Sequence, residues 1–343
     1  LGGRILLKRI VLLSSVVIFA LFIFGLNVRA QTESPAEIAA ECAKYESRFQ
    51  GLEKWLASSA AVQLDSAERE AELKKIDEPL SYPDALKLPC VADFFRNRMN
   101  VLWESYSKSK VEKGLLVWKL YNHSGIIQTR DAVIAIDLYA GYDAVRMDPA
   151  LMKKLVESVD ILLVTHSHGD HTDRETLEMF VKAGKKVVVP RIFWPDFLYN
   201  DKLTVLRDGE LKIKGATVRV FPAYQKEEVD NIYLITTSDG YKVMHLGDEN
   251  EFYNAGREWY KKIKKPVDID VLIPNIWSPN LVSFLKKFPA KLVVASHEHE
   301  IGHPVSGRRT YDYVYKVLRT IKKPYVVPMW GEAVRWPPEA ANK

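Results

Sequence analysis

From residue 114 onward, apolar residues come in short runs separated by turn signals. Runs at 115–121, 126–129 and 132–136 predict three successive strands. The turns between them fall at His123-Ser124-Gly125 and Arg130-Asp131. Further β-type runs follow at 161–164, 186–189, 218–221, 231–236, 241–246, 271–273 and 292–294. Helical patterns lie between several of them, at about 149–158, 174–184, 279–288 and 310–322. Hairpin strands followed by strands interleaved with helices predict one layered α/β domain over 114–343.

The pattern before residue 114 is different. Ser34-Pro35-Ala36-Glu37 has the form of a capping box with proline at the first helical position. Ile38, Cys42, Tyr45, Phe49, Leu52 and Leu56 then recur at steps of four and three, on one helical face. Val91, Phe94, Phe95, Val101 and Leu102 suggest a second helix around 90–108. Residues 31–113 therefore read as a helical segment that packs on the main domain, with partner binding as the alternative. Cys42 and Cys90 are the only cysteines. They make a candidate disulfide in an oxidising compartment, or two buried thiols.

Residues 1–30 read as an address. Arg4, Lys8 and Arg9 precede an apolar run from Ile10 to Leu26, and Val28-Arg29-Ala30 offers small residues for cleavage. This layout predicts a signal peptide and an exported protein, periplasmic or extracellular. The run is at the short limit for a spanning helix, which needs about 20 residues. An uncleaved anchor is the alternative, and the only membrane contact expected.

Composition narrows the function classes. Of 343 residues, 47% are apolar and 27% charged, as in a folded globular chain. The net charge of +5 hints at nucleic acid, but Arg4, Lys8, Arg9 and Arg29 have no acidic counterweight in 1–30. Without them, 45 basic residues face 44 acidic ones and the excess falls to +1. No nucleic-acid partner is expected, and no Gly-rich nucleotide loop, Walker pattern or G-x-S-x-G elbow occurs. The expected partner is a small-molecule substrate.

The histidines carry the chemistry. Six of the eight fall in two clusters, at 166–171 and 297–303 or beside them, while His123 and His245 stand apart. Directly after the run 161–164 come His166, His168, Asp170 and His171, at the strand's C-terminal end, where α/β sheets place ligands. Imidazoles mixed with carboxylate suit zinc, with manganese or iron as alternatives.

His166-x-His168-x-Asp170-His171 resembles the HxHxDH signature of the metallo-β-lactamase fold superfamily. Asp137 resembles that family's first motif, an aspartate that supports the metal loop. His245-Leu246-Gly247-Asp248 is similar to its Gly-Asp motif, whose aspartate bridges two metals, and His297 to its last metal histidine. These marks occur in family order over about two-thirds of the chain, counting the flanking strands. The resemblance implies a four-layered αββα sandwich and a metal site of His166, His168, Asp170, His171, Asp248 and His297. It also implies a proton-accepting role for Asp170. The layout most resembles the branch of ascorbate-phosphate lactonases and N-acyl-phosphatidylethanolamine phosphodiesterases.

One departure matters. The family expects a further histidine between the HxHxDH loop and Asp248, yet none stands from 172 to 244. Phe221-Pro222-Ala223-Tyr224-Gln225 occupies the corresponding strand end, and Gln225 is a candidate substitute ligand through its amide oxygen, though a poor one for zinc. One well-held ion is expected from Asp170, His171, Asp248 and His297, with a second ion weak, differently ligated or absent.

His299-Glu300-Ile301-Gly302-His303 spells the H-E-x-x-H of zinc peptidases, which works only on a helix. A β-type run ends just before it, Gly302 weakens a helix, and Pro304 disfavours helical angles at His303. His299 and His303 are instead candidates for catalytic proton donors lining the cleft, or solvated loop residues. His245 reads as structural, and His123 as a turn residue without a partner nearby in sequence. The aromatic stretch 191–199 reads as core or as a lip over the site, and Trp330-Gly331-Glu332 likewise. The resulting expectation is a secreted metal-dependent hydrolase acting on an ester, lactone or phosphodiester. A non-catalytic binding protein on a degenerate fold is the alternative, and a zinc peptidase the third reading.

Overall fold

The computed structural model describes residues 34–338, except 59–63, 82–84, 86–87, 192, 226–227, 250–263, 280 and 299–309. The leader at 1–30, the H-E-x-x-H stretch at 299–303 and Asn250 lie outside the described residues. The chain falls into two compact units, residues 1–40 and 41–343.

Four helices come first: α1 (Pro35–Ser58), α2 (Ala67–Lys74), α3 (Asp77–Leu80) and α4 (Pro89–Tyr106). The capping box at the start of α1 is formed: Glu37 N–H donates to Ser34 Oγ, and Ser34 N–H to Glu37 Oε2. Among the described residues, no helix is long and apolar enough to cross a membrane. Next come β1 (Leu115–Lys119), β2 (Gly125–Thr129), β3 (Val133–Ile136), α5 (Pro149–Ser158), β4 (Ile161–Leu163), α6 (Arg174–Lys182) and β5 (Lys186–Val189). After these stand β6 (Thr204–Val205), β7 (Gly209–Ile213), β8 (Ala216–Gln225), β9 (Glu228–Thr236), β10 (Lys242–His245) and β11 (Ile269–Ile273). The chain continues with α7 (Leu281–Lys287), β12 (Ala290–Val294), α8 (Tyr311–Thr320), β13 (Tyr325–Val326) and β14 (Ala333–Trp336).

The strands form two seven-stranded sheets, ordered β14-β1-β2-β3-β4-β5-β6 and β13-β12-β11-β10-β9-β8-β7. Each sheet is antiparallel on one side and parallel on the other. In the first, β1, β2, β3 and β14 pair antiparallel, and β3 to β6 run parallel. In the second, β7 to β10 pair antiparallel, and β10 to β13 run parallel.

Alternation along the strands makes the core between the sheets. Leu115 and Val117 of β1, Ile134 and Ile136 of β3, and Ile161 and Leu163 of β4 meet Val218 and Val220 of β8, Val271 and Ile273 of β11, and Leu292 and Val294 of β12. The intervening residues Leu116, Trp118, Leu162, Met244, Leu272 and Val293 are also buried, because helices cover the outer faces. Helix α6 turns Leu177 and Phe180 inward and packs on β5. The result is an αββα sandwich.

Local chemistry sets the helix starts. Asp148 caps α5, accepting from the N–H groups of Ala150 and Leu151, with Pro149 at the first helical position. Asp173 caps α6 through Thr176 N–H, and Thr310 caps α8 through Tyr313 N–H. Cys42 of α1 and Cys90 of α4 are joined as a disulfide, Cα atoms 5.6 Å apart.

Candidate metal centre

The site groups follow the C-terminal ends of five of the parallel strands. Asp137 follows β3, and His166 to His171 follow β4. Gly247-Asp248 follows β10, Asn275 follows β11, and Ser296-His297 follows β12. Open α/β sheets place ligands at such ends.

Asp137, in left-handed backbone at φ 47°, organises the histidine loop. Its Oδ1 accepts from Thr165 N–H at 2.7 Å, and its Oδ2 from Thr165 Oγ1 at 2.7 Å and His171 Nδ1 at 2.8 Å. The Thr165 hydroxyl is spent on Asp137, so at 3.0 Å it accepts from His166 Nδ1. One buried carboxylate thus sets both tautomers and leaves the Nε2 lone pairs of His166 and His171 for the cleft.

Four of those ligand atoms form a compact cage. His171 Nε2 lies 3.4 Å from Asp170 Oδ2, 3.5 Å from Asp248 Oδ1 and 3.3 Å from His297 Nε2. His297 Nε2 lies 3.6 Å from Asp170 Oδ2 and 3.0 Å from Asp248 Oδ1. Ligands of a tetrahedral ion at about 2.0–2.2 Å stand about 3.3–3.6 Å apart, a spacing that Asp170, His171 and His297 meet together, with Asp248 close to both imidazoles. All four residues are buried.

Charge supports that fit. Burial opposes ionisation of Asp170 and Asp248, but the facing imidazoles outweigh it and hold both carboxyls below the usual carboxylate range. Burial also opposes a charged His171, yet Asp170, Asp248 and Asp137 raise it well above its ordinary value. Two carboxylates concentrated at a dry sheet edge call for a cation, and a proton on His171 serves where a metal does not.

His166 is different. It is fully buried, burial pushes it well below its ordinary value, and its Nε2 has no hydrogen-bond partner among the described residues. It points toward Asp248 Oδ2 at 3.8 Å. His168 is half-buried at the rim, its ring 4.5 Å from that of His166. Gln225, at the end of β8, meets Asp248 Oδ2 through its amide nitrogen at 2.8 Å, so its nitrogen rather than its oxygen faces that carboxylate.

Sequence reasoning missed several groups. Asn122, in left-handed backbone at φ 46°, donates its amide to Asp170 Oδ2 at 2.9 Å. Asn275 donates to Asp248 Oδ1 at 3.0 Å. Asp230 of β9 is fully buried within 3.9 Å of His166 Nδ1; burial, then the charges of Asp248, Glu249 and Asp137, push it well above the carboxylate range. A buried ion pair, Lys119 to Glu298 at 3.1 Å, underlies His297, which itself sits at φ 66°. No signal in the chain points to these, because their partners are set by the fold.

His123, without a partner nearby in sequence, finds its partners across the fold. It is buried, its Nε2 donates to Gly247 O at 3.0 Å, and its Nδ1 meets Ser296 Oγ at 2.8 Å. His245 Nε2 donates to His123 O at 3.0 Å, and its Nδ1 accepts from Gly247 N–H, so it holds the loop and stays out of the cage. The aromatic stretch is mixed. Phe193 and Phe197 are buried, Leu198 is exposed, and Arg174 pairs with Asp196 while lying over Trp194. Trp330 is core, against Phe95 and Tyr121, and Glu332 pairs with Arg69.

Two mixed sheets packed between helices, with a His/Asp cage where the parallel strands end, define a metallo-β-lactamase-type protein. The chain belongs to the beta-lactamase superfamily, whose domain model matches residues 119–330. A UPF0173 protein of Pyrococcus abyssi is 29% identical over 165 residues, which are 46% of this chain and 69% of that protein. Among solved structures, CmlA, a diiron β-hydroxylase from Streptomyces venezuelae, superposes with a TM-score of 0.51 at 14% identity. That match covers 66% of this chain but only 55% of CmlA, so the chain spans little more than half of its length. A possible metal-dependent hydrolase from Veillonella parvula aligns at 17% identity and a TM-score of 0.47, over 64% of this chain and 98% of that one.

Proposed function

We propose that the chain is a metal-dependent hydrolase of ester, lactone or phosphodiester bonds. The observation that carries this reading is the buried cluster of Asp170, His171, Asp248 and His297, in which both imidazoles stand 3.0–3.6 Å from each carboxylate and from one another. When bound, a divalent ion there supplies Lewis-acid polarisation and a water acidified toward neutrality.

The chain's own residues do the rest. Asp137 and Thr165 fix the imidazole tautomers, so that no ring must turn during turnover. His166 presents an unprotonated Nε2 beside the cage and can take a proton from a water or hand one to a leaving group. His168, at the rim, is placed to contact a substrate. Asn122 Nδ2 and Asn275 Nδ2 hold the two carboxylates in place. Zinc fits the mixed nitrogen and oxygen donors, and manganese or iron would fit them also. Export is part of the reading: residues 1–30 carry the leader pattern, and the Cys42–Cys90 pair suits an oxidising compartment.

The test is metal analysis of the purified chain, followed by a panel of aryl esters, lactones and bis-aryl phosphodiesters. Retained metal with turnover of one class is expected, and His171→Ala and Asp248→Ala should each lose metal and at least about 100-fold in rate. Metal lost only with His299→Ala and His303→Ala would favour a peptidase site. Metal retained with no turnover of any class would favour a binding protein.

A further inference from the structure

We infer that the chain holds a single metal ion, and that the Gln225 amide occupies the role a second ion would have. The inference rests on the reading of the cage as a metal site. Its own evidence is the unequal environment of the two Asp248 oxygens.

Oδ1 belongs to the cage. It lies 3.0 Å from His297 Nε2 and 3.5 Å from His171 Nε2, and accepts from Asn275 Nδ2 at 3.0 Å. Oδ2 faces the other way, toward Gln225 Nε2 at 2.8 Å and His166 Nε2 at 3.8 Å. A carboxylate that bridges two ions spends one oxygen on each. Here the second oxygen is bonded to an amide N–H. The contacting atom of Gln225 has to be its nitrogen, because an ionised carboxylate only accepts.

The donor count agrees. Toward Oδ2 the described residues bring His166, grouped with Asp248 only through His171, an imidazole that the cage already uses. Residues 172–244 contain no histidine that could complete the set. Charge agrees as well: Asp170 and Asp248 are the two carboxylates at the cage, and one divalent cation balances both. Gln225 therefore holds Asp248 in place by a hydrogen bond, and His166 keeps its Nε2 lone pair for the reaction.

The experiment is metal stoichiometry on the full chain, loaded separately with Zn(II) and Mn(II), cleared of excess by gel filtration and measured by elemental mass spectrometry. The electron paramagnetic resonance spectrum of the Mn(II) form is a second readout. One equivalent and an uncoupled Mn(II) signal are expected, and His171→Ala should abolish both. Gln225→His, and the isosteric Gln225→Glu should the histidine variant fail to fold, should double the stoichiometry and give an exchange-coupled spectrum. Two equivalents in the unmodified chain would overturn the single-ion inference and leave the metal reading standing. One equivalent in both folded variants would overturn the role given to Gln225. No binding of either ion would overturn the metal reading itself.

Discussion

Gly247 occupies backbone that an L-residue could enter only with strain. Its φ is 54°, and a Cβ there would lie 2.5 Å from Asp230 Oδ1. Both its peptide groups are held by imidazoles: the N–H by His245 Nδ1 at 3.1 Å, and the C=O by His123 Nε2 at 3.0 Å. The two rings lie tilted against each other, centroids 4.0 Å apart. This pair fixes the turn that delivers Asp248, and the Gly247 N–H keeps its acceptor only while His245 is neutral, since a proton on His245 Nδ1 removes it. Burial pushes His245 down to about 4 and His123 lower than its ordinary value in the same way. The unfolded chain takes up these protons near pH 6.5 and the native chain does not. Stability therefore falls as pH drops from about 6.5 toward 4, by about 3 kcal/mol for His245, and no further below that for this group. Urea midpoints of the metal-free protein across this window should show the loss. His245→Gln, which keeps a donor for His123 O and cannot titrate, should flatten the slope. An unchanged slope would sink the argument.

At the scale of elements, strand ends place the chemistry and a buried ion pair ties the helical segment to them. Arg69 of α2 donates Nε to Val327 O at 2.8 Å and its terminal nitrogens to Glu332, just before β14. Both side chains are nearly dry, 4% and 10% exposed. Glu332→Ala would leave the guanidinium buried with only the nearby Asp65 to balance it, and should cost about 3 kcal/mol in urea unfolding. Replacing both partners, Arg69→Met with Glu332→Leu, should recover most of that loss. If the single variant costs no more than a surface substitution, the pair is not what holds α2. Glu332 was singled out in the sequence but its pairing with Arg69 was not, and the reason is physical. Helix α2 reads AEREAELK, with only Arg69 and Leu73 buried, so it has no apolar stripe. The strands β7 and β13 were equally hidden. Gly209–Ile213 alternates half-buried and exposed residues at an edge, and Tyr325–Val326 is two residues long. By contrast, β1 to β5 and β9 to β12 were legible because largely buried runs need nearly continuous apolar residues, and β8 because buried Val218 and Val220 alternate with half-buried neighbours. The cage residues were legible for another reason, namely that a recurring motif packs His166 to His171 into one loop. Asn122, Asp230 and Asn275 belong to no local pattern and meet the site only through sheet order.

At the scale of the molecule, the helical segment and the sandwich stand in different relations to function. From Glu41 onward they form one compact unit, and Phe49 of α1 packs tilted against Phe94 of α4, ring centroids 4.9 Å apart. The family match and every cage ligand fall within 119–330, whereas the Cys42–Cys90 bond closes a loop of 48 residues that holds α2 and α3. Closing such a loop removes chain entropy from the unfolded state worth about 4 kcal/mol. That stabilisation is local to 42–90, and no cage atom depends on a residue of that loop. Reduction should therefore separate the two: the urea midpoint should fall by the equivalent of about 3–4 kcal/mol, while the metal content of the still-folded protein stays the same. Unfolding with and without reductant, with metal measured in parallel below the transition, distinguishes the outcomes. An unmoved midpoint would mean that α1 and α4 are held by packing alone. Metal released on reduction, before unfolding, would mean that the helical segment supports the cage and is not merely attached to the unit that carries it.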